Sequence, residues 1–468
     1  KKEFEINIHE RKNAKLIFDG VDYKAHFYLN GHYLGVHEGM FGKVVFDVSN
    51  ILKDKNTAVV VIEPDDKFSR RTEVVRCQMC YGWDFAPKLP TIGIWDDVYL
   101  IQYDNFFIND VFVAGNTEKG FADVYLEIEG RGNADIECEV SPYNFNGEPS
   151  KKKIKAENGV LIVRFDNLEK LWNTWDRGEQ NLYSVSVRVL SDGEISNEFK
   201  TRFGMRSVKR KGWVFKLNGK SIFLRGANWV PADSLIGRVN KERYEKMAEF
   251  IREANINFIR VWGGGIREKK DFYNIMDEKG IMVWQEFPFA CADYPQNKKF
   301  LSIVKKEAES IVKAIRNHPS IIIYCGGNEF SYKKNKPLIE VLEKVIRTMD
   351  GTREFHPVSP YKNESHNWIV WHSFAPYTVY DKDSSQFISE FGMQAFPDIK
   401  TLKNMTKGKI RSLRYIKAHK GEITKHIRYA IPFRPKTYME FIDATQEAQK
   451  VALKYCIERC RIQKYEKT

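Results

Sequence analysis

Cysteine is scarce in this sequence, and the few cysteines present do not form a recognisable metal or disulfide framework. There are seven in 468 residues, an odd number. Cys77 and Cys80 stand in a Cys-x-x-Cys spacing, but no second pair and no histidine pair follows at the spacing that zinc sites use. We therefore expect free thiols, which favour a reducing compartment and a cytoplasmic location.

Long apolar runs, nucleotide-binding motifs and internal repeats are also missing. No stretch approaches the roughly 18 apolar residues of a membrane-spanning helix, and neither a His-Glu-x-x-His motif nor a phosphate-binding loop occurs. No self-similarity at a period of about 20–50 residues indicates a repeat protein. The first residues, KKEFEINIHE, include no methionine, no apolar segment and no cleavage site. We expect no membrane association, no metal and no cofactor.

The positive net charge does not by itself indicate a nucleic-acid partner. Lysine and arginine exceed aspartate and glutamate by 75 − 62 = 13, an excess that could attract nucleic acid or acidic partners. The lysines, however, are scattered among acidic neighbours, and the densest basic runs, 151–153 and 208–216, are short. A solvated, lysine-rich surface is the favoured interpretation. A nucleic-acid-binding protein is therefore the most remote of the functions considered.

Three successive hydrophobic patterns predict three domains, for which the length and the 43% hydrophobic content are sufficient. Residues 1–104 alternate apolar and polar positions between Asp-Gly and Asn-Gly turns, which predicts an incomplete, jelly-roll-like β-sandwich. Residues 105–205 repeat the pattern at the length of an immunoglobulin-like β-sandwich. Residues 206–468 alternate strands with amphipathic helices, which predicts a (β/α)8 barrel of the TIM type.

The predicted barrel lacks its last strand. Its strands are expected at 223–230, 258–265, 281–287, 321–329, 355–360, 368–374 and 387–392, and its helices at 240–256, 267–280, 297–317, 338–349 and 439–465. Nothing after the last helix can serve as strand eight. A barrel without that strand has two unpaired edges and an incomplete pocket.

Two of the predicted strands end on an acid. Strand four, in HPSIIIYCGGNEF (318–330), leads to Glu329, and strand seven leads to Glu390. These strands lie across the barrel mouth from each other, and two facing carboxylates are what glycoside hydrolysis requires. Desolvation and like charge should raise the pKa of Glu329, as suits a general acid, and leave Glu390 as the ionised nucleophile. The alternative for each acid is an interior ion pair.

Several stretches together resemble glycoside hydrolase family 2, and most nearly its β-mannosidase branch. They are HPSIIIYCGGNEF, FIRVWGGGIRE (258–268), RGANWVPAD (225–233), VWQEFPFACADYP (283–295), ISEFGMQAFPD (388–398), YGWDFAPKLPTIGIWDDVYL (81–100) and FGMR (203–206). The resemblance covers nearly the whole chain. It implies a sandwich, an immunoglobulin-like domain and a barrel in this order, Glu329 as acid/base, Glu390 as nucleophile, and Asn328 as a contact to the sugar 2-hydroxyl.

The resemblance also implies sugar contacts. Trp262 is similar to the family's sugar-contacting tryptophan, and Asp84 to the acid that the first sandwich sends into the barrel mouth. Trp371 is a weaker candidate of the same kind. The alternatives are core aromatics for the two tryptophans and a turn-forming role for Asp84. For His366 and His372 a structural role is favoured over substrate contact.

The predicted function is a retaining exo-β-mannosidase that hydrolyses terminal, non-reducing β-D-mannose residues by double displacement. The alternatives are another exo-glycosidase of the family, either an exo-β-glucosaminidase or a β-galactosidase, and a non-catalytic carbohydrate-binding protein. The expected partner is an oligosaccharide or glycoside, and a homodimer is left open. Because the opening strands of the sandwich and strand eight are not found, the chain is interpreted as part of a longer enzyme or as a degenerate relative.

Overall fold

The first part of the chain is an antiparallel β-sandwich in the computed structural model, which describes residues 1–7, 13–64, 71–408 and 435–464. Its main sheets have the strand orders β1-β7-β4-β5 and β11-β2-β6. Leu16, Phe18 and Phe27 are buried between them. The strands β1 to β11 are Lys2–Glu5, Asn13–Phe18, Val21–Asp22, Lys24–Leu29, His32–Glu38, Val44–Asp47, Lys55–Glu63, Tyr81–Trp83, Ala86–Lys88, Gly93–Ile94 and Val98–Tyr103.

The second part is an immunoglobulin-like sandwich, as predicted. Buried and half-buried residues alternate along several strands, most clearly in YSVSVRVLS (183–191), and this places one face of those strands in the core. The two sheets have the orders β12-β13-β16 and β15-β14-β17-β18. The strands β12 to β18 are Phe106–Asn116, Phe121–Gly130, Asp135–Pro142, Ser150–Lys155, Gly159–Phe165, Tyr183–Ser191 and Glu194–Phe203.

The third part is a partial TIM barrel, which confirms the predicted fold class. Three short antiparallel strands precede it: β19 (Val208–Lys211), β20 (Val214–Leu217) and β21 (Lys220–Ile222). The parallel strands that follow, β22 to β28, are Gly226–Trp229, Phe258–Val261, Met282–Glu286, Ile321–Cys325, Glu354–His356, Glu364–Asn367 and Phe387–Phe391. Among the described residues, β22 to β26 form one parallel sheet and β27 pairs with β28 in another.

The barrel helices follow the predicted order, and most begin with a recognisable cap. Asn240 and Asn297 accept a hydrogen bond from the first turn of α1 and α3, and Thr437 and Glu440 form a capping box on the last helix. The helices α1 to α7 are Lys241–Glu253, Lys270–Lys279, Lys298–Ile315, Lys336–Met349, Ile369–His372, Ile399–Met405 and Tyr438–Ile462. None of the described helices is both long and apolar enough to cross a membrane.

The prediction of strand six at 368–374 is wrong. Strand β27 lies just before it, at Glu364–Asn367, and Ile369–His372 is a single helical turn. The sequence pattern favours a strand here because the run Trp-Ile-Val-Trp is apolar. The consecutive residues Val370 and Trp371 are both buried in a cluster with residues of α7, whereas Ile369 is exposed. Burial therefore does not alternate along this segment as it would on a strand.

A buried glutamate joins the first sandwich to the barrel. Glu307 on α3 accepts hydrogen bonds at Oε2 from the backbone N–H groups of Met40 and Phe41, at 2.8 and 2.6 Å. A Cβ atom added to Gly39 would lie 2.2 Å from Glu307 Oε1, so the turn can close around the carboxyl group only with glycine there. Burial raises the pKa of Glu307 to about 7, against the opposing effect of these hydrogen bonds.

Replacing Glu307 with alanine is expected to lower the free energy of unfolding by about 2–4 kcal/mol, because two buried N–H donors lose their acceptor. Glu307→Gln, which keeps an acceptor oxygen, should lose less. The carboxyl pKa is higher in the folded state, so its favourable contribution is present at pH 4 and is lost as the pH rises through about 7. The free energy of unfolding of Glu307→Gln, measured with urea, should therefore rise relative to that of the unchanged chain between pH 5 and pH 8. The same difference between the two proteins at both pH values would contradict this pH dependence.

Candidate active site

The backbone beyond strand β25 holds Asn328 and Glu329 firmly at the barrel mouth. All five residues of the strand are buried, and the pairing continues past its end: Asn328 N–H donates to Phe289 O at 2.8 Å and Glu329 N–H to Ser359 O at 2.7 Å. Gly327 has φ 141° and a Cβ there would lie 2.3 Å from Phe289 O. The two glycines in CGGNE thus let the chain pass close to its neighbour before the acid.

Glu390 is the more confined of the two predicted acids. It lies on β28, and only 7% of its surface is exposed. Arg260 Nη1 donates to its Oε1 at 2.5 Å, and Trp368 Nε1 donates to its Oε2 at 3.0 Å. Both carboxylate oxygens are therefore occupied by donors, which fixes the orientation of the group.

Arg260, which was not predicted, connects Glu390 to Glu286 and Asn328. Its guanidinium, on strand β23, also donates to Glu286 Oε1 at 2.9 Å and to Asn328 Oδ1 at 2.8 Å. Burial disfavours its charge, but Glu286 and Glu390 more than offset that effect and raise the pKa of Arg260. A permanently charged guanidinium therefore lies at the centre of the site. The sequence feature that could have identified Arg260 is its position as the one charged residue of the otherwise apolar strand FIRV.

Glu329, Glu390 and His366 form a compact group. One ligand-type atom from each lies within 4.8 Å of the others, so oxygens of the two carboxylates approach to that distance. Arg260 already supplies a positive charge to Glu390. We therefore do not interpret the group as a metal site, since a divalent cation would lie next to a fixed guanidinium.

The predicted rise in the pKa of Glu329 is wrong. The hydrogen bond with His366 Nδ1, 2.6 Å from Glu329 Oε1, holds the pKa of Glu329 below its ordinary value, against the smaller opposing effect of partial burial. The side chain is 37% exposed, so desolvation is weaker than the apolar strand suggested. Cys291 contacts the other oxygen with Sγ 3.4 Å from Oε2, and burial and Glu329 raise the pKa of its thiol to about 12.

A cavity of about 470 Å³ brings all the predicted site residues together. Its lining includes the proposed catalytic acids and the four predicted sugar contacts, namely Asp84, Trp262, Asn328, Glu329, Trp371 and Glu390. His372, for which a structural role was favoured, also lines it, as do Trp83, Phe85 and Trp368. Aromatic side chains on several sides and a few convergent polar groups are typical of a small-molecule site.

The first sandwich supplies one wall of this cavity. The hairpin of β8 and β9 carries Asp84 at its turn, and Trp83 packs edge-on to Trp262 with ring centroids 4.8 Å apart. Met79 N–H donates to Gly264 O at 2.8 Å, which fixes the hairpin to the barrel. A Cβ at Gly264 would lie 1.8 Å from the Trp262 ring. The glycines of VWGGG therefore allow the tryptophan to fold back beneath the hairpin.

Comparisons with known proteins match each part of the chain to a domain of one family. Residues 1–96 match the galactose-binding-like domain of glycosyl hydrolase family 2, residues 106–206 match the domain model named for the family itself, and residues 208–411 match its TIM barrel domain.

The similar proteins carry related names. A β-mannosidase B from Emericella nidulans is 30% identical over 456 residues, which is 83% of this chain and 54% of that protein. A mouse β-mannosidase is 28% identical over 86% of this chain and 56% of its own. The crystal structure of a β-D-mannosidase from Dictyoglomus thermophilum superposes with a TM-score of 0.89 at 32% identity, and covers 100% of this chain and 66% of that one. The chain thus spans about half the length of the curated relatives it matches.

Proposed function

Since the chain belongs to glycoside hydrolase family 2, we propose that the whole protein is a retaining exo-β-mannosidase that removes terminal, non-reducing β-D-mannose by double displacement. The observation that carries the proposal is the pair of acids facing each other across an aromatic-lined cavity. Relatives named β-mannosidases, at about 30% identity, support the choice of sugar.

The distance between the carboxylates favours retention of configuration. Oxygens of Glu329 and Glu390 approach within 4.8 Å. Retaining glycosidases separate the two carboxyl groups by about 5–5.5 Å, whereas inverting ones need about 6.5–9.5 Å to admit a water molecule between acid and sugar. The close approach here leaves room for direct attack on the anomeric carbon and little room for an intervening water.

The surroundings of the two acids suit different roles. Glu390 is buried, bonded to Arg260 and Trp368, and held ready to attack as the nucleophile. Glu329 is partly exposed at the cavity, where it can protonate the leaving oxygen and later activate a water. The nucleophile thus lies on the buried side of the pair and the acid/base on the open side.

The predicted sugar contacts fit the same substrate. Asn328 lies beside the acid/base with its Oδ1 bonded to Arg260, which leaves its Nδ2 directed elsewhere and 3.5 Å from Cys291 Sγ. We assign it to the sugar 2-hydroxyl. Trp262 and Trp371 would contact the sugar ring, and Asp84 would accept hydrogen bonds from its distal hydroxyls.

The test is hydrolysis of 4-nitrophenyl β-mannoside by the whole protein, beside the β-glucosaminide and the β-galactoside. The first sugar released should be β-mannose, detected by proton NMR before mutarotation. Faster hydrolysis of one of the other glycosides would transfer the assignment to that exo-glycosidase activity. Release of the α-anomer would contradict retention, and failure on every β-glycoside would leave a carbohydrate-binding protein.

Replacing Glu329 with alanine is expected to reduce kcat/KM on 4-nitrophenyl β-mannoside by about 10²–10⁴-fold, the usual contribution of a general acid. The 2,4-dinitrophenyl mannoside should be affected much less, because its leaving group departs without protonation. The control is Glu340→Ala, at an exposed position of α4, which should leave kcat/KM on both substrates unchanged. Equal losses for the two substrates would contradict the acid role.

A further inference from the structure

His366 contacts both carboxylates of the site. It lies on strand β27, and 4% of its side chain is exposed. Its Nδ1 is 2.6 Å from Glu329 Oε1 and 3.4 Å from Glu390 Oε2. Its other nitrogen, Nε2, is 3.0 Å from the hydroxyl of Ser359. Both ring nitrogens are therefore engaged, and which of them carries a proton can be deduced from their partners.

The partner of Ser359 determines the proton on Nε2. Ser359 Oγ–H donates to Glu364 Oε1 at 2.5 Å, and Glu364 also receives the Tyr361 N–H at 2.9 Å and lies 2.8 Å from His356 Nε2. Although burial opposes it, the hydrogen bond with His356 holds the pKa of Glu364 below its ordinary value, so Glu364 is a carboxylate and accepts only. The single hydroxyl proton of Ser359 is used there, so Ser359 must accept from His366 Nε2–H.

A proton fixed on Nε2 restricts what Nδ1 can do. In the neutral ring Nδ1 is an acceptor, so the short contact with Glu329 then requires a protonated Glu329 that donates to it. In the imidazolium Nδ1–H donates to a Glu329 carboxylate. Each arrangement contains one proton between Glu329 and His366. The 2.6 Å contact between Glu329 Oε1 and His366 Nδ1 therefore holds one proton that the two groups share.

We propose that His366 stores the catalytic proton of Glu329, an inference that rests on the proposed function. When the glycosidic bond breaks, the proton passes from His366 Nδ1 to Glu329 and from Glu329 to the leaving oxygen, while a Glu390 oxygen bonds to the anomeric carbon. This leaves a Glu329 carboxylate and a neutral His366. In the second step a water molecule attacks the anomeric carbon and releases Glu390, and its proton goes to Glu329, which restores the shared proton.

The charged groups around His366 are compatible with this role. Glu329 and Glu390 face Nδ1, and Glu364 with His356 lies behind Nε2 through Ser359. Arg260 contacts Oε1 of Glu390, whereas His366 lies near Oε2. The Cys291 thiol contacts Glu329 and not the ring. Carboxylates thus lie closer to the ring than cations do.

The variant His366→Asn separates proton storage from simple positioning. The asparagine amide keeps a donor for Glu329 near the position of Nδ1, but it cannot carry the extra proton. In the whole protein we expect kcat/KM on phenyl β-mannoside to fall about 10²-fold, with little change on the 2,4-dinitrophenyl mannoside. The alkaline limb of the pH profile should move to lower pH, since Glu329 alone must then retain the proton.

The control is His26→Asn, which breaks a histidine–glutamate contact to Glu63 on the first sandwich, outside the site, and should leave the ratio of the two substrates unchanged. An equal fall for both substrates with an unmoved pH profile would reduce His366 to a positioning residue and overturn the proposal. Full activity of His366→Asn would also overturn it. If the unchanged protein hydrolyses no β-mannoside at all, the proposed function fails first, and this inference fails with it.

Discussion

Replacing Glu390 with glutamine or alanine is expected to lower kcat of the whole protein on 4-nitrophenyl β-mannoside by about 10⁵-fold or more, the scale of loss seen when a covalent nucleophile is removed. Glutamine has nearly the same shape, and its single carbonyl oxygen can still accept from either Arg260 or Trp368, but it cannot form the glycosyl ester. Both variants remove the anionic partner of Arg260, but alanine also leaves no acceptor at this position. The loss of activity in the glutamine variant is therefore the better measure of the missing nucleophile. Kinetic assays with both variants, purified free of the unchanged protein, provide the measurement.

Azide distinguishes a missing nucleophile from a damaged site. In Glu390→Ala the space left by the carboxylate admits azide on the face opposite the leaving group, and a single displacement then yields α-mannosyl azide. We expect azide to restore part of the activity of the alanine variant with this product. β-Mannosyl azide, or activity within about tenfold of the unchanged protein, would show that Glu390 is not the nucleophile.

The acids could be found from the sequence because Glu329 follows a strongly patterned strand and Glu390 lies near the end of a second, partly apolar strand. Ile321–Cys325 is buried at every position and the ladder continues to Glu329, so an apolar run ending on a polar pair indicates the carboxyl end of a barrel strand. The family motifs place Trp262 and Asp84 in the same way. All of these residues line one cavity in the structure. The order of the parallel strands brings Trp262 and the two acids together, and the β8–β9 hairpin of the first sandwich adds Asp84.

The rest of the site depends on contacts between strands that no local pattern reports. Arg260 sits in a buried strand and has no sequence neighbour that explains its charge; its partners are 26, 68 and 130 residues away. All four residues of the His366 strand are polar, so the sequence pattern favours a strand in the apolar run that follows it, where the structure has a helical turn. The pKa of Glu329 was predicted in the wrong direction for the same reason, since His366 lowers it.

Replacing Arg260 with methionine is expected to reduce the free energy of unfolding of this chain by about 3–5 kcal/mol, because Glu286 and Glu390 then remain buried without their common cation. Arg260 is 2% exposed, and the side chain of Glu286 is fully buried. Methionine preserves most of the packing of the arginine stem. The matched control is Arg164→Met, whose exposed ion pair with Asp123 on the immunoglobulin-like domain should contribute less than about 1 kcal/mol.

The pH dependence of the Arg260→Met loss identifies its electrostatic origin. Burial raises the pKa of Glu286 even with Arg260 present, against the opposing charge of Arg260, and removing the arginine should raise it further. A carboxyl group with a raised pKa in the folded state stabilises the fold when protonated, and that contribution is lost as the pH rises through the folded pKa. The loss in free energy of unfolding caused by Arg260→Met, measured with urea, should therefore be larger at pH 8 than at pH 5.

The double variant Arg260→Met with Glu286→Gln should recover part of this loss at pH 8, because it neutralises one of the two buried carboxylates that lack a cation. A deficit that does not change with pH, and that the second substitution does not reduce, would mean that Arg260 stabilises the barrel by packing alone.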